Sequence, residues 1–300
     1  MKYKSIFKLC LLTTFLSVAT ISCDDWTEME IHDSQVNGFK EQNPQEYAAY
    51  TQNLRAYKAT KHAVVYARLD NAPEVSTGEK DFLRALPDSI DIVTMRNADR
   101  LSEYDREDMK LVREDYGTKV LYYIDCTAKD KLNTSITSAV EAVRTGTFDG
   151  IALGSEGSAV DVSVLKPLVD ALGQTPCLLV FEGTPSLLPE AQRSLFNYFV
   201  LDISAASDEY DIETSVLYAT GYGKAAPDRL LLAVTPDGTL TDNNGVTRNA
   251  IAGAAYGALN METPLGGIAI YNISADYYDT DIIYKQTRGG IQFLNPASVH

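Results

Sequence analysis

"FDGIALGSE", Phe148 to Glu156, is an apolar run with a β-branched residue and a terminal acid, and it decides the fold because it belongs to a series. Runs of the same kind recur as HAVVYARLD (62–70), IDIVTMRN (90–97), KVLYYID (119–125), PCLLVFE (176–182), FNYFVLDIS (196–204), RLLLAVTPD (229–237) and GGIAIYNIS (266–274). Between them lie segments of helical periodicity: SEYDREDMKLVREDYG (102–117), LNTSITSAVEAVRTG (132–146), AVDVSVLKPLVDALG (159–173) and RNAIAGAAYGALNM (248–261). Strands that alternate with helices at steps of about 30 residues imply βαβ units and a parallel sheet. Eight such units imply closure into a (β/α)8 TIM barrel, and about 250 residues suffice for one. An open doubly wound sheet is the structural alternative, but no Gly-rich fingerprint follows the first strand.

The working face of such a barrel lies at the carboxyl ends of its strands. Those ends read Asp70, Asn97, Asp125, Glu156, Glu182, Asp202, Asp237 and Asn272, each an acid or an amide. Asp and Asn favour the turn after any strand, which accounts for Asp70, Asn97 and Asp237.

The chain has 300 residues with 41 acidic against 26 basic side chains, a formal net charge of −15. Such a surface repels nucleic acid and favours a neutral ligand. The first 22 residues, with Lys2, Lys4 and Lys8 before LCLLTTFLSVAT, form an export signal too short to span a bilayer. SCDDWTEME follows and resembles a bacterial lipobox, with Cys23 as the acylated first residue of the mature chain. The acids behind it (Asp24, Asp25, Glu28, Glu30) resemble the export tag that carries lipoproteins to the outer face of some Gram-negative gut bacteria, so an outer-membrane, surface-exposed lipoprotein is expected. Residues 23–60 read as an acidic tether and a helix, NPQEYAAYTQNLRAYKATK, packed against the barrel bottom; residues 61–300 read as the barrel. Cys126 and Cys177 stand far apart in apolar runs and His32, His62 and His300 are scattered, so neither a metal site, a cofactor nor a Ser-His-Asp triad is suggested.

The Phe148–Glu156 stretch resembles the signature of glycoside hydrolase family 18, the chitinases and endo-β-N-acetylglucosaminidases, which runs apolar-Asp-Gly-apolar-Asp-apolar-Asp-any-Glu. Asp149, Gly150 and Glu156 agree, whereas Ala152 and Gly154 replace the two middle acids. The resemblance spans roughly residues 61–290 and implies a substrate-assisted reaction, in which the substrate's N-acetyl oxygen attacks the anomeric carbon and the final Glu protonates the leaving oxygen. The Asp two positions earlier orients the acetamide, and here that position is Gly154. Alternation along a strand places 152, 154 and 156 on one inward face. The resemblance further implies sugar contacts from Asp125, Asp202 and the Tyr271-Asn272 pair, with Tyr271 as the floor of the subsite beside the cut; Glu182 or Asp125 could lean into the gap at Gly154. Tyr277 and Tyr278 follow in the next loop, and Tyr122 and Tyr123 suit core or cleft equally.

Three readings follow. The first is a non-catalytic glycan-binding lipoprotein that holds an N-acetylglucosamine-containing glycan, such as an N-glycan core, beside a glycan importer and neighbouring hydrolases. The second is an active endo-β-N-acetylglucosaminidase with Glu156 as general acid. The third is a scaffold subunit of a surface glycan-uptake assembly that binds protein and no sugar.

Overall fold

The computed structural model describes residues 39–71, 75–173 and 175–296; the export signal, Cys23 and most of the tether lie outside them. The described residues divide into two compact units between Ala48 and Ala49. The first contains the four-residue helix α1 (Phe39–Gln42), and α2 (Pro44–Lys58) begins there and ends in the second.

The second unit is a closed (β/α)8 barrel. Its strands are β1 (Val64–Leu69), β2 (Ile92–Met95), β3 (Lys119–Asp125), β4 (Gly150–Gly154), β5 (Leu178–Glu182), β6 (Tyr198–Asp202), β7 (Leu230–Val234) and β10 (Gly267–Ile270), and β10 pairs with β1 to close the ring. All eight expected runs supply these strands. A side-chain period of two divides each run between two cores. Tyr66, Ile92, Leu121, Tyr123, Ala152, Val180, Val200, Leu231, Ala233 and Ala269 fill the barrel interior. Their neighbours, such as Val65, Ile124, Ile151, Leu153 and Phe181, pack outward against the helices. Gly150 sits where a Cβ would lie 1.9 Å from the Leu178 carbonyl oxygen, so this glycine of the motif is required by close strand packing.

The helices are α3 (Glu103–Glu114), α4 (Leu132–Arg144), α5 (Val162–Leu172), α6 (Glu209–Gly221), α7 (Ala250–Asn260) and α8 (Lys285–Leu294). Four of them, α3, α5, α6 and α7, start at a side-chain cap, Ser102, Asp161, Asp208 and Asn249 respectively. Ser102 accepts from the Asp105 amide at 3.0 Å while Asp105 accepts from the Ser102 amide at 2.8 Å, a reciprocal box worth about 1 kcal/mol. Two connections depart from strict alternation. After β1 and after β5 the chain makes short 3-10 turns, Glu79–Asp81 with Leu83–Ala85 and Pro185–Leu187 with Glu190–Leu195. Pro185 and Pro189 lack the amide that an α-helix needs in its interior. The β7–α7 connection adds a hairpin of β8 (Thr239–Thr241) and β9 (Thr247–Asn249), whose turn is held by Asp242 accepting the Asn244 and Val246 amides, each at 2.9 Å.

The end of α2 meets the amino-terminal side of the barrel. Lys58 Nζ donates to the carbonyls of Asp88 (2.7 Å) and Ile90 (2.6 Å) and to Thr118 Oγ1 (2.9 Å). Beside it His62 Nε2 lies 2.9 Å from Asp91 Oδ1, and the hydrogen bond to Asp91 raises the His62 pKa despite burial. A raised histidine value means the protonated form binds the native state better. Stability from this pair is therefore full below the unfolded value of about 6.5 and is lost as pH rises through the higher native value. Melting curves of His62→Gln against the parent should diverge most in mild acid and converge above that value; a gap that widens with pH would contradict the assignment.

Candidate functional site

At the carboxyl end of the barrel, the last inward positions at or just past the ends of β1, β2, β3 and β5 are Arg68, Arg96, Asp125 and Glu182. Glu182 is buried, with its side chain 2% exposed. It accepts from Tyr66 Oη at 2.5 Å and from Arg68 Nη1 at 3.0 Å, and Tyr66 also shares a hydrogen bond with Thr94. Burial raises the Glu182 carboxyl above the ordinary carboxylate range, and Arg68 and Tyr66 pull it back. Above this layer the Arg68 guanidinium lies 3.8 Å from the centre of the Tyr271 ring. Tyr271 is itself buried, so its stacking face is taken by an arginine of the same chain.

Gly154 is covered in the same way. A Cβ at this position would fall 2.1 Å from Tyr123 Oη and 2.6 Å from its Cζ, so the Tyr123 ring fills the place where the resembled signature carries an aspartate. The ring is fixed from two sides. Its hydroxyl donates to Glu156 Oε1 at 3.4 Å, and the Arg96 guanidinium lies 4.7 Å from its centre. Arg96 also approaches Glu156 (3.8 Å) and Asp70 (3.7 Å).

The expected column of 152, 154 and 156 holds for two of its members. Ala152 faces the interior and Gly154 faces Tyr123. The strand ends at Gly154, however, and Glu156 has φ 44° in a left-handed turn with Gly157, which lifts its carboxylate to the rim where the side chain is 57% exposed. A non-glycine residue in this region is uncommon and costs about 1–3 kcal/mol. Asp149, the first acid of the motif, lies at the opposite end and joins Arg113 (2.8 Å) to the Val120 amide (2.9 Å).

The remaining strand-end residues are spread around the rim. Asp125 accepts from the Thr127 amide (2.8 Å) and hydroxyl (2.6 Å), and Asp202 accepts from the Ser204 amide (2.9 Å), so both fasten the turns after their strands. Asp202 and Asn272 are exposed, and Asn272 has φ 49°. Glu182 and Asp125 are the strand neighbours of Gly154, but Glu182 is held by Tyr66 and Arg68 and Asp125 by Thr127, so neither carboxylate occupies the gap. Among the described residues no cluster of His, Cys, Asp or Glu could hold a metal ion.

Sequence reasoning passed over Arg68, Arg96 and Tyr66. Their signal was a guanidinium at the inward parity of two apolar strands, two positions after Tyr66 and after Thr94 respectively.

Residues 27–145 match the family model described as glycoside hydrolase family 18, BT1044-like. Among solved structures, a selenomethionine Glu-to-Gln variant of BT1044 superposes with a TM-score of 0.70 at 19% identity, covering 86% of this chain and 95% of that one. The apo endo-β-N-acetylglucosaminidase of Cordyceps militaris gives 0.60 at 16% identity, with 83% and 96% covered. A chitinase of Bacteroides thetaiotaomicron gives 0.53 at 13% identity, with 80% and 98% covered. No curated protein matches.

Proposed function

We propose, from the premise that this chain is a relative of glycoside hydrolase family 18, that it is a non-catalytic glycan-binding lipoprotein of the cell surface. Its ligand would contain N-acetylglucosamine, as in the core of an N-linked glycan. The observation that carries the reading is the Tyr123 ring over Gly154. Substrate-assisted cleavage needs a carboxylate at that place to align the acetamide and answer the positive charge of the intermediate. Removing one such preorganised partner costs about 10²–10³ in rate, and misalignment of the acetamide costs more. Glu156 alone retains a hydrogen-bonding role.

With the centre of the mouth filled, the sugar would rest on the rim. Glu156, Asp202, Asn272 and the free lone pairs of Asp125 offer acceptors and an amide to its hydroxyls. Acylation at Cys23 would hold the barrel at the outer membrane, near a glycan importer and hydrolases that supply or consume the ligand. Calorimetric titration with an N-linked glycan tests this: Glu156→Gln and Asp202→Asn should each weaken binding about tenfold, the order expected for one charged hydrogen bond, whereas absence of heat with the parent would sink it.

The scaffold reading is favoured by one observation, the Arg68 guanidinium on the Tyr271 ring, because it removes the deep sugar platform. That reading expects no glycan heat at all.

A further inference from the structure

The charges of this acidic chain are unevenly placed, and the amino-terminal end of the barrel carries a basic groove that the glycan reading does not use. Arg106, Lys110 and Arg113 occupy positions i, i+4 and i+7 of α3 and so share one face. With Lys119 at the start of β3 they line a groove of about 510 Å³, together with Met109, Glu114, Thr147 and Asp149. Arg113 forms the floor, committed to Asp149 and to the Gly146 carbonyl at 2.8 Å. Asp149 is thereby neutralised, with Lys119 a further 3.8 Å away. Arg106 and Lys110 are exposed and form no ion pair with a described residue, which leaves Glu114 as the opposing acid of the groove.

Lys119 also lines a second, larger basin of about 960 Å³ across the barrel bottom, where Lys58, Lys61 and His62 join it against Asp91 and Asp228. Asp91 is bonded to His62. The other end of the barrel presents exposed Asp70, Glu156, Asp202 and Asp237. Lysine and arginine thus outnumber acids in the lining of both depressions, whereas these exposed residues of the mouth are acids.

We infer that the Arg106–Lys110–Lys119 groove and the adjoining Lys61 rim dock on an anionic lipid surface through its phosphate headgroups, which turns the acidic mouth away from the bilayer. Phosphate oxygens suit both the guanidinium fork of Arg106 and the lysine ammonium groups. Acylation at Cys23, proposed above, would keep the barrel within reach of a bilayer. The inference depends on that reading only for proximity. Glycan binding at the opposite rim can fail without affecting it, and the two are measured separately.

The test is sedimentation of the full chain carrying Cys23→Ser, which cannot be acylated, with phosphatidylcholine vesicles with and without phosphatidylglycerol. The parent should partition to the anionic vesicles, and Arg106→Gln/Lys110→Gln should lower that partition about 30-fold at low salt, from the contribution of two cations beside an anionic bilayer. The export segment is the same in both proteins, so their difference reads this face alone. A melting transition unchanged from the parent would show the variant folded. Equal partition of variant and parent would overturn the inference; so would displacement of the parent by millimolar inorganic phosphate at constant ionic strength, which would assign the groove to a soluble anion.

Discussion

Trimming Tyr123 to Ala and replacing Gly154 by Asp in the same chain is expected to raise cleavage of a chitobiose-containing glycan by about 10²–10³ over the parent, the contribution of one preorganised carboxylate. The reasoning is steric before it is electrostatic. An aspartate Cβ at 154 collides with the ring and hydroxyl of Tyr123, which Arg96 and Glu156 hold in place. Gly154→Asp alone should therefore be destabilised by about 1–3 kcal/mol, as overpacked cores are, and give no product. Tyr123→Ala alone opens the space but supplies no acid. Product release from the double variant would be followed by mass spectrometry. Equal activity of Gly154→Asp with and without Tyr123→Ala would show that the tyrosine is not the obstruction.

Removing Arg68 should have the largest effect on stability. Arg68→Met leaves Glu182 ionised and buried without its ion partner, a change that costs about 3–5 kcal/mol. For a barrel of this size each kcal/mol moves the melting temperature by about 2–4 °C. The pH dependence has a definite sign. Burial already raises Glu182, so the native state binds its proton more tightly than the unfolded chain does. That preference stabilises below the unfolded carboxyl value of about 4.3 and is lost as pH rises through the raised native value. Loss of Arg68 deepens the penalty on the ionised form, so the variant should be weakest at neutral pH and approach the parent in acid. Arg68→Met/Glu182→Leu should recover most of the loss, since the stranded charge is gone. A single variant that melts within a degree of the parent would show that this pair does not support the mouth. The same double variant removes the guanidinium from the Tyr271 ring.

The fold was legible because one physical rule governs every strand. Each run from HAVVYARLD to GGIAIYNIS is buried on both faces, the environment of a parallel sheet wrapped by helices, and eight such runs suffice to close it. The two helix-poor connections and the β8–β9 hairpin were not legible, since short 3-10 turns and the Asp242 turn leave no periodicity to detect.

The site was legible in its losses rather than in its replacements. Ala152 and Gly154 are visible as missing acids in the sequence. That Tyr123 fills the gap is a fact of the β3–β4 register, in which Tyr123 pairs with Ala152 and its ring reaches the next inward position. Alternation predicted the direction of Gly154 but not that of Glu156, because the period of two ends where the strand does and the left-handed turn at Glu156 begins. Arg68 escaped notice because an arginine in an apolar strand has no motif, and its partners Glu182 and Tyr271 lie on β5 and just beyond β10, distant in sequence.

The most direct measurement of the central claim is mass spectrometry of an N-linked glycan after prolonged incubation with the protein, on the same samples that give calorimetric heat. Saturable binding with every glycan intact is the predicted result. A shortened glycan that appears with the parent and disappears with Glu156→Gln would contradict the account and make the barrel an enzyme.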